Sequence, residues 1–258
     1  MLDIGFIRGR VVNSLLRFDR FLGARFFGIH IRIHYTWIIA IALTALAVVT
    51  QFPTEYYHLW LRILFGVSAG IIFFIAILLR ELVLSFISTE KGVVVRQVTL
   101  FAFGGLSEVD KETTTSAVEL LLAVSGMLYN LVIAVAFLVA YVALAQSSQP
   151  AVDVLLKWLA FIFFMLALLH ILPGYPLDTG RILRAIIWKS ANNYERATRI
   201  TSWVGVGIGL LLGIGGLLLL ILTQEQFAGV FLLAVGLILQ SASRYGWRRV
   251  GKASQSPD

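Results

Sequence analysis

The chain has 258 residues, of which 59% are hydrophobic and only 14% charged, and its mean hydropathy is +0.89. A soluble globular domain does not bury that much apolar surface, so the composition points to a polytopic membrane protein. The net charge is +7, and the absence of cysteine excludes disulfides and any thiolate metal site.

Met1–Arg25 carries Arg8, Arg10, Arg17, Arg20 and Arg25 without a compact apolar core and small-residue cleavage site. It therefore does not read as a cleavable signal peptide, and is expected to be an amphipathic segment skimming the membrane. From Gly28 to Tyr35 the residues alternate, with Ile29, Ile31 and Ile33 on one face and His30, Arg32 and His34 on the other. Period two predicts a short strand.

Six apolar runs follow, at Tyr35–Phe52, Ile63–Leu79, Val118–Ala145, Val154–Leu172, Ser202–Leu222 and Phe227–Leu239. They predict an all-α integral membrane protein with about six transmembrane helices, the last of them short. Between the first two runs, Tyr56, Tyr57, His58 and Trp60 have the composition of an interfacial aromatic belt. After the second comes a β-rich stretch near 93–109, with Val93-Val94-Val95 and then Gly104-Gly105, which predicts a small sheet insert. Gly66 and Gly70, and again Gly205, Gly209 and Gly213, recur at four-residue spacing and predict close helix packing within the chain. A single membrane domain over 1–258 is expected: a basic segment and strand at 1–34, a six-span core at 35–243 and a basic tail at 244–258.

The cations set an expected orientation. With six spans, the N-terminus, the second and fourth loops and the C-terminus share one side, and that side holds eighteen of the 21 Lys and Arg. The opposite side holds Arg62 and Lys157. This asymmetry predicts that both termini and the sheet are cytoplasmic, in the cell's inner (plasma) membrane. It also explains the basic charge without nucleic acid, which is not expected as a partner; the lipid bilayer is.

Two segments carry the chemistry. The second run ends in Arg80-Glu81-Leu82-Val83-Leu84, where a membrane metalloprotease would place His-Glu-x-x-His. That spacing sets two imidazoles on one helix face to grip zinc beside a glutamate. Arg80 has no lone pair to offer and Leu84 is a hydrocarbon, so only Glu81 keeps the motif's chemistry. The fourth run ends in His170-Ile-Leu-Pro-Gly-Tyr-Pro-Leu-Asp178-Thr-Gly-Arg181, whose prolines and glycines break a helix at membrane depth. Both segments end spans that run inward, so they are expected at similar depth on the same side.

In order and spacing, these segments resemble the site-2 protease family of intramembrane zinc metalloproteases (peptidase M50-like). The family's strand is similar to Gly28–Trp37, its zinc helix to Leu79–Ser85, its glycine-bearing β segment to Thr99–Gly105, its Ala-Gly-Pro-x-x-Asn segment to Ser125–Asn130, and its Asn-x-x-Pro-x-x-Pro-Leu-Asp-Gly-Gly-Arg segment to His170–Arg181. The resemblance implies Glu81 as general base, Asp178 as third zinc ligand, and Gly104, Gly105, Asn130 and His170 as substrate-positioning residues. It also marks departures: Arg80 and Leu84 stand at both histidine positions, Met127 at a proline, His170 at an asparagine and Thr179 at a glycine.

A catalytic zinc needs three protein ligands and an open water position. The resemblance therefore predicts a vestigial base at Glu81, a vestigial ligand at Asp178, no zinc, and a proteolytically inactive homologue that binds a transmembrane peptide or regulates intramembrane proteolysis. A buried Asp178 without metal predicts an ion pair with Arg80, whose planar fork matches a carboxylate. The competing expectation is that Arg80 snorkels to the headgroups. Glu81, about 100° around the helix from Arg80, is the less natural partner. Two other functions stay open: an active metalloendopeptidase with a metal site rebuilt from Glu81, Asp178, His170 and His34, and a transporter or scaffold on a borrowed fold.

Overall fold

The computed structural model describes residues 23–26, 29–33, 36–52, 55–93, 95–101, 104–109, 114–144, 150–223 and 226–253. Seven helices are found among them: α1 (Thr36–Val49), α2 (Leu59–Glu90), α3 (Ser116–Leu144), α4 (Pro150–Ile171), α5 (Asp178–Ala191), α6 (Tyr194–Leu222) and α7 (Gln226–Ala253). Four strands accompany them: β1 (Gly23–Phe26), β2 (Ile29–Ile33), β3 (Val95–Phe101) and β4 (Gly104–Val109).

The six apolar runs resolve into four helices long and apolar enough to cross a membrane and two shorter ones among the described residues. The four are Leu59–Glu90, Ser116–Leu144, Ala151–Ile171 and Tyr194–Leu222. The 14 residues of α1 reach only about 21 Å, and the apolar stretch Ala228–Arg244 about 25 Å, against a hydrocarbon thickness of about 30 Å. These apolar helices mark an integral membrane protein.

The sheet is larger than an insert at 93–109. Its order is β1-β2-β3-β4, with β1–β2 and β3–β4 antiparallel and β2–β3 parallel. Half of it comes from before α1, because the Ile29–Ile33 alternation supplies a strand that can pair on both sides. β1 also corrects the expectation of a membrane-skimming segment up to Arg25: Gly23–Phe26 is extended, and residues 1–22 lie outside the described set. At the other end the expected basic tail from Arg244 begins as helix, since α7 continues to Ala253.

Contacts divide the chain into two compact units, Met1–Thr113 with Val132–Phe163, and Thr114–Leu131 with Phe164–Asp258. In the first, α1 lies on α2 where glycines permit it: a Cβ on Gly66 would stand 2.6 Å from the Ala45 carbonyl oxygen. Trp37, fully buried, meets Phe74 edge-on at 4.9 Å and Phe73 at 5.8 Å, and Phe163 stacks on Phe137 at 5.2 Å. α2 stops at Gly92, whose φ of 73° is the left-handed conformation that favours glycine. Its amide and that of Val93 turn back to the carbonyls of Thr89 (2.9 Å) and Ser88 (3.0 Å), closing a Schellman motif that aims the chain into β3. Val98 and Leu100 of β3 are buried in this unit, which packs the sheet against α1 and α2.

In the second unit α6 and α7 form a close antiparallel pair. A Cβ on Gly236 would stand 2.5 Å from the Gly213 nitrogen and 2.6 Å from the Gly209 carbonyl oxygen. The glycine register thus serves packing within the chain. α5 precedes this pair and ends at Asn192, in the left-handed region at φ 49°; Asn193 then caps α6 by accepting from the Arg196 amide at 2.8 Å.

Candidate functional site

The C-terminal turns of α2 present an unusual buried face. Arg80, Glu81, Leu84, Ser85 and Ser88 are each under 5% exposed. Arg80 Nη1 lies 2.5 Å from Glu81 Oε1. Two expectations change here. Arg80 is 3% exposed, so it does not snorkel to headgroups. And Glu81 does engage it, because the flexible arginine stem spans one helical step, and leaving either charge uncompensated inside the protein costs more than the awkward geometry. Leu84, four residues on, contributes only hydrocarbon to this face.

The second group gathers where α4 gives way to α5. Helix α4 ends at Ile171; Pro173–Leu177 form an irregular turn with a cis Tyr175-Pro176 bond, and Asp178 opens α5. The expected helix break is there, but the residues beyond it are not a loop. They form an amphipathic helix with Asp178 in its first turn, where the helix dipole favours a carboxylate. Asp178 is 2% exposed and His170 5%. His170 Nδ1 lies 2.9 Å from the Leu166 carbonyl oxygen, which only accepts, so the proton sits on Nδ1. Its Nε2 is 3.9 Å from Asp178 Oδ2, an electrostatic neighbour beyond hydrogen-bond reach. Thr179 Oγ1 donates to the His170 carbonyl at 2.7 Å and lies 3.7 Å from Met127 Sδ. Asn130 is 2% exposed, and its amide nitrogen has no hydrogen-bond partner among the described residues.

The turn itself is held by α6 and α7. Tyr175 N donates to the Thr201 carbonyl at 3.3 Å, and Ser243 Oγ donates to the Tyr175 carbonyl. Gly180 admits no side chain: a Cβ there would overlap the backbone of Gly174 and Tyr175. This close approach fixes the start of α5, and with it Asp178.

One constellation was not anticipated. Glu119 in the first turn of α3 accepts from Arg184 Nε at 2.8 Å and from its Nη2 in a short contact; Arg181 Nε lies 3.8 Å from the same carboxylate. The Arg184 guanidinium also sits over the rings of Tyr175 (4.6 Å) and Tyr194 (5.1 Å). Burial opposes the Arg184 charge, but Glu119, aided by Tyr194 and Tyr175, holds its pKa above the ordinary arginine value. Burial raises the Tyr175 phenol above its usual pKa, with Arg184 opposing. Arg184, one of the eighteen cations expected on the cytoplasmic side, is thus buried, at 7% exposed. The available sign was Glu119 itself, an ionisable residue at the head of an apolar helix.

Of the remaining histidines, His58 precedes α2, the side chain of His30 and all of His34 fall outside the described residues, and Gly104-Gly105 open β4. Among the described residues no three His, Asp or Glu side chains come together to hold a metal ion.

No family model matches the chain. It is 30% identical over 215 residues, 81% of its length, to sll0528 of Synechocystis, which bears a zinc metalloprotease name. It is 27% identical over 85% of its length to Rip3 of Mycobacterium tuberculosis, and 27% over 74% to MJ0392 of Methanocaldococcus jannaschii, both likewise named as zinc metalloproteases. It spans about half the length of these relatives, 54%, 56% and 52% respectively. Its fold matches the site-2 protease from Methanocaldococcus jannaschii with a TM-score of 0.63 at 23% identity, covering 87% of this chain and 93% of that one. The chain is thus similar along most of its length to named zinc metalloproteases, and its fold is that of a site-2 protease.

Proposed function

We propose that the chain is a catalytically inactive member of the site-2 protease family that holds a transmembrane segment without cutting it, sequestering it or regulating an active relative. The observation that carries this reading is Arg80, a buried cation paired at 2.5 Å with Glu81, the one candidate base in the motif. A fixed positive charge at a position where the family resemblance expects a zinc ligand repels a dication, and Leu84 offers it no donor. The donors do not fit a catalytic zinc, which needs three ligands. Peptide binding has a physical route: β4 is a sheet edge that begins at Gly104-Gly105, and an extended peptide can add to such an edge through backbone hydrogen bonds. A pairing of Arg80 with Asp178 belongs to the same proposal; its support is that both are buried charges on segments whose span order puts them at similar depth. So do the six-span count, which rests on the apolar runs, and the cytoplasmic placement of both termini, which rests on the cation asymmetry.

Metal content tests the reading. The wild type and the double variant R80H/L84H are purified in the same detergent and assayed for zinc. Zinc in the variant alone, near one per chain, is the expected result; stoichiometric zinc in the wild type overturns it. A second reading, an active endopeptidase with a rebuilt site, draws on the 3.9 Å approach of His170 to Asp178. Cleavage of a reconstituted transmembrane substrate that disappears in E81Q would favour it. A transporter or scaffold would instead show itself as flux in proteoliposomes or as its absence with a partner bound.

A further inference from the structure

One face of α6 is exposed along its whole length. Arg196, Arg199, Trp203, Gly207, Leu210, Ile214, Leu217 and Ile221 follow one another at three- and four-residue steps, the helical repeat. The opposite face, with Ala197, Thr201, Gly205 and Gly209, is buried, the last three of these against α7 or the Pro173–Leu177 turn. The exposed face changes character at Trp203. From there to Leu222 it holds no charge, and the distance is about 28 Å, the thickness of a hydrocarbon core. Trp203, 57% exposed, stands where tryptophans anchor at the interface. Arg199 and Arg196 lie about 6 and 10 Å beyond it on the same face, at headgroup depth. Lys189 is exposed in the last turn of α5, seven positions before Arg196 across the Asn192–Asn193 turn, where Trp188 meets Tyr194 edge-on at 4.9 Å. Among the described residues no acidic side chain forms an ion pair with Lys189, Arg196 or Arg199, whereas Arg181 and Arg184 nearby are taken by Glu119.

We propose that Arg196 and Arg199, with Lys189, form a binding site for the headgroup of an anionic phospholipid whose acyl chains lie along Trp203, Leu210 and Ile214. Arginine suits the phosphate because its fork donates two parallel hydrogen bonds. Continuity of the cationic and apolar parts on one helix face selects a lipid over a free anion: a soluble phosphate would gain nothing from the stripe above it. The site is independent of whether the chain cleaves peptides.

The test titrates the detergent-purified full chain with phosphatidylglycerol and, separately, phosphatidylcholine, and counts bound lipid by native mass spectrometry. Phosphatidylglycerol is expected to bind more tightly, and R196Q/R199Q to weaken it roughly 30-fold while leaving phosphatidylcholine unchanged. R196K/R199K is expected to retain most of the preference, and R244Q, which removes an exposed cation from α7, all of it. If the glutamine pair does not fold, R199Q alone carries the test with a loss of about fivefold. Undiminished phosphatidylglycerol binding in these glutamine variants overturns the proposal. So does an equal loss in R244Q, which would make the effect one of net charge, or displacement of the lipid by excess inorganic phosphate.

Discussion

Thr179 Oγ1 donates to the carbonyl oxygen of His170 at 2.7 Å, bridging the break between α4 and α5. The same hydroxyl lies 3.7 Å from the Met127 sulfur. Thr179, His170 and Met127 are three of the positions where the sequence departs from the family pattern, and Thr179 touches the other two. A glycine at 179 would have no hydroxyl to give, so these departures are structurally coupled and not independent losses.

Thr179→Val tests that coupling. It keeps the shape and removes the donor, leaving the His170 carbonyl one partner short, and is expected to cost about 1 kcal/mol. Thermal unfolding in detergent checks it; Thr179→Val in a Met127→Pro background should cost a different amount if the two act together.

Glu119 and Arg184 form the costliest pair to break. Glu119→Gln leaves Arg184 buried without its counter-charge, and a loss of about 3–5 kcal/mol is expected. Replacing both, as E119L/R184M, should lose less than either single change, read as the unfolding midpoint of the three variants.

Gly180→Ala drives a methyl into the Gly174–Tyr175 backbone and is expected to destabilise by about 1–3 kcal/mol or displace α5. Gly207, around which a Cβ would meet nothing within 4 Å, is the matched control. There alanine should be neutral or stabilising by up to about 1 kcal/mol, because it is the better helix former.

Tyr175 gives a pH dependence. Its folded-state pKa is raised above the unfolded value of 10.0 by burial. The unfolded chain therefore releases this proton first, and stability present below about pH 10 falls as pH rises beyond it. Tyr175→Phe keeps the ring over Arg184 and should flatten the decline, measured as unfolding midpoints between neutral pH and the alkaline limit.

Much of this was legible in the sequence because it rests on local periodicity. The Ile29–Ile33 alternation became β2, the apolar runs became helices, and Pro173–Leu177 broke one of them, since each depends on neighbours along the chain. What stayed hidden depends on residues far apart. Glu119 and Arg184 are 65 positions distant, and nothing local distinguishes a buried arginine from a loop cation. α5 was obscured by the prolines and glycines before it and by charges that read as loop. The engagement of Glu81 with Arg80 was missed because helix-face geometry places side-chain bases, whereas burial governs where long side chains end.

The parallel pairing of β2 with β3 dictates an order of assembly. β2 leaves the ribosome before α1 and α2, and β3 only after them. One side of β2 therefore waits without its partner until the intervening helices have been made. The sheet closes as a clasp over two helices already made, so stalled folding of α1 or α2 would leave an open strand edge.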